Sequence, residues 1–133
     1  MADEVRKTIN VDTDVVAARQ QGRSVAAACG FSAGDQTVIA AAISELARNI
    51  LQYAKHGEII IRHLQHGERH GILVIAEDHG PGIRDLNRAL EDGYSTSGGL
   101  GLGLPGSRRL MDEFEITSVD GQGTRIVMKK WQD

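Results

Sequence analysis

The sequence predicts an α/β fold of the α+β two-layer sandwich kind, a mixed sheet with helices on one face. Three observations predict it. A strongly periodic apolar stripe runs from about residue 32 to 54, two β-branched runs follow at 58–64 and 72–77, and the elements order themselves β-α-α-β-β-(lid)-α-β-β. For that order, one layer of helices on a sheet is the economical way to bury both apolar surfaces. The 133 residues suit one domain, 1–133, since a chain of this size buries about two-thirds of its unfolded surface without needing staples.

Val5, Lys7, Ile9 and Val11 alternate with Arg6, Thr8 and Asn10, the period-two pattern of a half-buried edge strand. Thr13 or Asp14 is then placed to cap a helix whose stripe is Val15, Ala18, Gly22, Val25, Ala26 and Cys29, with Gly30 positioned to end it. Cys29 reads as packing on that stripe, because no neighbour suggests a lowered thiol pKa. The second helix starts near Ser32 to Asp35, reaches about Ala54, and buries Ile39, Ala42, Ile43, Leu46, Ile50 and Tyr53. Glu58–Leu64 and Ile72–Glu77 are strands joined across Gln65–Gly71. Residues 79–103 are rich in glycine and poor in periodic pattern, as a loop or lid would be. Leu104–Glu113 has helical spacing, with Pro105 tolerable near its start, and Glu115–Val119 with Thr124–Trp131 form a last hairpin.

Composition narrows the function. Hydrophobic residues at 41%, charged residues at 25% and a net charge of −3 give no general drive toward nucleic acid. No apolar run approaches the roughly 20 residues a bilayer requires. A polar N-terminus and a single cysteine point to the cytoplasm.

Glu45 and Asn49 stand four apart on the second helix and therefore project together, flanking the buried stripe. An amide oxygen suits Mg²⁺, which takes few protein ligands, and a neighbouring carboxylate can accept a hydroxyl proton. Considered alone, the spacing is better explained by an ordinary solvated pair. Asp78 leaves an apolar strand and enters Gly80-Pro81-Gly82, where it can either accept from the amino group of adenine or close an Asx turn. Gly98-Gly99-Leu100-Gly101-Leu102-Gly103 leads into a helix, so its amides can approach phosphate oxygens. It lacks the Gly-Lys-Ser/Thr ending of a Walker loop. His63, His66 and His70 lie close in sequence, but without a zinc-site pattern around them they read as solvated turn residues.

Taken together, these residues resemble the GHKL ATPase and kinase superfamily, and within it the switch serine/threonine kinases of bacterial stressosomes. The resemblance spans nearly the whole chain, including Val15–Gln20, Ile43–Ile50, Glu91–Leu100, Gly103–Gly106 and Arg109–Phe114. It implies a Bergerat-type fold binding ATP with Mg²⁺. By resemblance Glu45 would be the catalytic base, Asn49 the magnesium ligand and Asp78 the adenine reader. Gly80, Gly82, Gly99, Gly101 and Gly103 would shape the pocket, and Thr124 would add a hydroxyl near the base. The implied substrates are STAS-domain scaffold and antagonist proteins. Release from them would free the kinase to activate a downstream partner such as a PP2C-type phosphatase. Many histidine kinases carry a basic residue where this chain has Gln52, and Arg84, Arg88, Arg108 and Arg109 are candidate replacements for a phosphate contact.

Rival readings are a histidine kinase core, a gyrase-like ATPase and an ATP-dependent partner-binding switch of the anti-sigma kind. No His-Glu or His-Asp pair marks a phosphoacceptor helix, which argues against the first. The second would need a further domain to supply a catalytic lysine, and the reading of 1–133 as one kinase domain expects none. The switch is compatible with a kinase and is separated from it only by whether Glu45 performs transfer.

Overall fold

A computed structural model describes residues 4–82 and 103–132 of the chain. In chain order the elements are β1 (Glu4–Ile9), α1 (Asp12–Ala28), α2 (Ala33–Tyr53), β2 (Gly57–His66), β3 (Arg69–Glu77), α3 (Gly103–Leu110), β4 (Glu113–Val119) and β5 (Gly123–Trp131). The strands form one sheet in the order β1-β2-β3-β5-β4.

The two-layer arrangement is the expected one, but the sheet is not mixed: all four described pairings are antiparallel. The cause is the connectivity. Two helices lie between β1 and β2, each reverses the chain, and so β2 enters against β1, while β2–β3 and β4–β5 are direct hairpins.

α1 starts with Asp12, and neither Thr13 nor Asp14 is its N-cap. Asp14 sits inside the first turn and reaches back, its carboxylate accepting from the N–H groups of Asn10 at 2.9 Å and Val11 at 3.1 Å. These two bonds hold its carboxyl below the ordinary range. The helix closes at Gly30, with φ +89°, where Gly30 N–H donates to Ala27 and Phe31 N–H to Ala26, a Schellman ending that turns the chain directly into α2. Ser32 caps α2 by accepting from the N–H of Asp35 at 3.1 Å. The helices pack closely at Gly22, where a Cβ would overlap the Ile43 side chain.

The core lies between helices and sheet. Ile39, Ile43, Leu46 and Ile50 of α2 meet Ile59, Ile61, Ile72, Val74, Ile126 and Met128 of the central strands. On the other sheet face Ile60, Leu73 and Ile75 form a small strip 5–8% exposed. Ion pairs flank it: Glu4 with Arg6 and Arg62, Arg6 with Glu58, Arg125 with Glu77. The alkyl stems of such arginines cover apolar surface while their heads stay wet.

Several boundaries differ from expectation: β1 stops at Ile9, short of Val11, and β4 begins at Glu113, ahead of Glu115. The β2–β3 ladder continues through Leu64↔Gly71, Gln65↔His70 and His66↔Arg69, leaving only Gly67-Glu68 as the turn. α3 ends at Leu110 instead of Glu113, because Glu113 already pairs with Lys129 in the β4–β5 ladder. Among the described residues no helix is long and apolar enough to cross a membrane.

Candidate active site

α2 is buried without interruption from Ala42 to Ala47, since α1, the sheet and α3 surround its middle. Glu45 falls inside that run and is only 5% exposed, deeper than a position flanking the stripe should be. A buried carboxylate needs a partner, and Arg48, one turn on, supplies it: its Nη1 donates to Glu45 Oε1 at 2.8 Å. Asn49 is half-buried beside it, and Gln52 is exposed.

Asp78 leaves the end of β3 and is 8% exposed. Its Oδ1 accepts from the N–H of Gly80 at 3.0 Å and of Thr124 at 3.2 Å, while its own N–H donates to the Thr124 carbonyl at 3.0 Å. The Asx turn is therefore real, and it occupies one carboxylate oxygen. Among the described residues the other, Oδ2, takes part in no hydrogen bond. The Thr124 hydroxyl lies 3.0 Å from that of Ser118.

Four glycines set this turn in place. A Cβ on Gly80 would lie 2.5 Å from the Cβ of Ala54, and one on Gly82 2.8 Å from the Val119 carbonyl oxygen. At Gly57 it would meet the Glu77 carbonyl, Ile50 and, at 3.1 Å, the Cβ of Asp78. At Gly123, with φ +122°, it would overlap the Asp78 carbonyl oxygen. Gly80 and Gly82 thus let the turn press against α2 and the β4–β5 hairpin, which Pro81 also joins by accepting from Gly121 N–H at 2.8 Å. Sequence reasoning missed Gly57, and it read Gly123 only as part of a hairpin turn. Gly57 has no local signal, because what requires it is backbone arriving from β3, and the hairpin around Gly123 does not reveal that its second constraint is the Asp78 carbonyl.

Seated on Tyr53 and Ala54, the Asp78 turn lies at the C-terminal end of α2. Asn49 is one turn back along the helix and Glu45 two, so the three positions span about 12 Å at 1.5 Å per residue. An elongated ligand laid along α2 from the Asp78 end would meet a hydrogen-bond acceptor, then an amide, then a carboxylate. The amide oxygen and neighbouring carboxylate are hard donors of the type Mg²⁺ prefers.

Gly103 opens α3; Gly99, Gly101, Arg84 and Arg88 lie outside the described residues. Arg108 and Arg109 are exposed in the last turn of α3. At the far end of the β2–β3 hairpin, His63 Nε2 and His70 Nδ1 are 2.8 Å apart. Their centroids are 5.0 Å apart and their planes within 5°. Face-to-face rings would stand too far apart for that nitrogen contact, so the imidazoles are nearly coplanar and share one N–H···N hydrogen bond. Among the described residues no group of three or more His, Cys, Asp or Glu is arranged to hold a metal.

Comparisons with known proteins identify the family. The family model of the histidine kinase-like ATPase domain matches residues 10–130. The serine/threonine-protein kinase RsbT of Bacillus subtilis is 53% identical over 131 residues, covering 98% of this chain and 98% of that protein. An anti-sigma F factor of Thermoanaerobacter is 32% identical over 99 residues, 70% of this chain and 68% of that one. Among solved structures, the RsbU and RsbW domains of Rv1364c from Mycobacterium tuberculosis superpose with a TM-score of 0.62 at 18% identity. That likeness bears on the fold alone; it covers 98% of this chain, which spans only 33% of the larger one. The chain belongs to the histidine kinase-like ATPase domain family, and its near full-length match to a serine/threonine kinase makes it an ATP-dependent enzyme of that kind.

Proposed function

We propose that this kinase transfers the γ-phosphate of ATP to serine or threonine hydroxyls of STAS-domain scaffold and antagonist proteins. Its release from them then activates a downstream partner, such as a PP2C-type phosphatase. The observation that carries the reading is the order of groups along α2, since Asp78, Asn49 and Glu45 follow one another as adenine, phosphates and transferring end follow one another in ATP. Asp78 would read adenine through Oδ2, while Oδ1 stays in its turn. Thr124 holds that turn through its backbone and brings a hydroxyl to the same place. Asn49 would ligate Mg²⁺, which when bound screens the charge that builds on the phosphates. Gly99, Gly101 and Gly103 would shape the phosphate end of the pocket. Glu45 would act as general base: the Oγ–Pγ bond forms, the bond from Pγ to the bridging oxygen of ADP breaks, and the hydroxyl proton passes to the Glu45 carboxylate. The whole reaction is assigned to one domain in the cytoplasm.

The test is transfer from labelled ATP to STAS-domain proteins, wild type against Glu45→Ala. The expected result is acid-stable phosphoprotein with wild type, and with Glu45→Ala a loss of transfer while ATP binding is largely kept. A protein that binds both ATP and STAS partner yet phosphorylates none would reduce the reading to the partner-binding switch, which the likeness to an anti-sigma factor also supports. Equal loss of binding and transfer in Glu45→Ala would make Glu45 structural.

A further inference from the structure

Glu45 presents its two carboxylate oxygens unequally. Oε1 accepts from Arg48 Nη1 at 2.8 Å, and among the described residues Oε2 takes part in no hydrogen bond. The partners also differ in environment, the Glu45 side chain being 5% exposed and that of Arg48 41%. A single-point contact at one oxygen fixes how the carboxylate plane is turned. The guanidinium reaches Glu45 from the solvent side of the same helix, three residues on, so the contact is set by helix geometry and survives movements elsewhere.

We infer that Arg48 is a positioning residue for phosphoryl transfer: it anchors Glu45 by Oε1 and so orients the carboxylate, leaving Oε2 as the oxygen that receives the substrate hydroxyl proton. The inference rests on the reading of Glu45 as base. In the transfer step the proton moves from the Ser or Thr Oγ to Oε2 while Oγ takes the phosphoryl group and ADP leaves. Arg48 gives up no proton and makes no contact with the reacting atoms. Its planar fork matters as well as its charge, because a lysine ammonium offers a mobile point charge that orients a carboxylate less well.

The experiment measures kcat and KM for ATP, with a STAS-domain substrate in saturating amount, alongside direct ATP binding, for wild type, Arg48→Ala, Arg48→Lys and Glu45→Ala. Since a base displaced by about 1 Å can cost on the order of 100-fold, Arg48→Ala is expected to lose about 10- to 100-fold in kcat. ATP affinity should stay within about twofold, and Arg48→Lys should recover part of the loss. Arg48 is exposed enough for its truncation to leave a folded protein, which thermal melting checks; if Arg48→Ala does not fold, Arg48→Lys carries the test, with a reduced kcat expected at unchanged ATP affinity. Wild-type kcat in Arg48→Ala would overturn the inference. So would a fall in ATP affinity that accounts for the loss, since Arg48 would then be holding phosphate directly. Failure of the underlying reading looks different: Glu45→Ala would itself retain wild-type kcat.

Discussion

Replacing Asp78 by asparagine separates the turn its carboxylate holds from the adenine contact proposed for it. Oδ1 accepts from Gly80 and Thr124, and the amide oxygen of asparagine can take over both bonds because both partners are N–H donors. The alternative amide orientation would set an NH₂ against those two donors, so the network itself selects the orientation. The NH₂ group then stands where Oδ2 stood, and under the proposed reading it would face the exocyclic amino group of adenine as donor to donor. What is lost is one hydrogen bond to a charged acceptor, about 1.5–3 kcal/mol, or about 10- to 140-fold in Kd for ATP. Titration calorimetry with ATP measures this, and thermal melting should show almost no change. Asp78→Ala gives the contrasting result. It strands the N–H groups of Gly80 and Thr124, the latter buried, so stability should fall by about 1–3 kcal/mol together with ATP affinity. Unchanged ATP affinity in Asp78→Asn would refute the adenine-reading role, and a large drop in melting temperature for the same variant would refute the claim that the amide preserves the turn.

Gly123→Ala places a methyl against the Asp78 carbonyl at φ +122°, so both stability and ATP affinity should fall; an ATP titration matching wild type would show that the β4–β5 hairpin does not set Asp78. Leu46→Ala, fully buried beside Glu45, should cost about 2–5 kcal/mol in urea unfolding. The hydrogen bonds from Arg62, then Arg6, hold the Glu4 carboxyl below its ordinary range, so its folded pKa lies under its unfolded one and its contribution is present at neutral pH and lost as pH falls through the folded value. Melts of Glu4→Gln against wild type should differ at pH 7 and converge as the pH falls into the acid range; a difference that persists in acid would contradict that sign.

The helices were legible because their chemistry is local. The stripe from Ile39 to Ile50, the start of α2 near Ser32 and the Gly30 ending each need only neighbours within a turn or two, and each stands where the sequence puts it. The hairpin end was not legible: Gln65, His66, Arg69 and His70 carry no alternating apolar pattern, yet their backbones complete the ladder. Pairing at a sheet end is sustained by hydrogen bonds, and these do not depend on side-chain polarity. The sheet's antiparallel sense was hidden for a different reason, since direction depends on how many times intervening helices reverse the chain.

For the site, the residues with chemistry were easier to find than those that hold them. Glu45, Asn49 and Asp78 carry functional groups at recognisable spacing, whereas Gly57 and Gly123 matter for having no side chain at a place where strands β2, β3 and β5 converge. Such a requirement arises from long-range packing and leaves no trace among adjacent residues. Arg48 lies between these cases. Its spacing from Glu45 is visible in the sequence, but an i, i+3 ion pair on an exposed helix contributes little. What gives this one consequence is burial of the carboxylate alone. Ala42 to Ala47 are enclosed on every side, so Glu45 exchanges water for a single guanidinium, and that contact sets which of its oxygens is held. A polar residue inside a fully buried helical run is thus the signal to look for. It appears in the sequence only once α1, α3 and the sheet are known to close around α2.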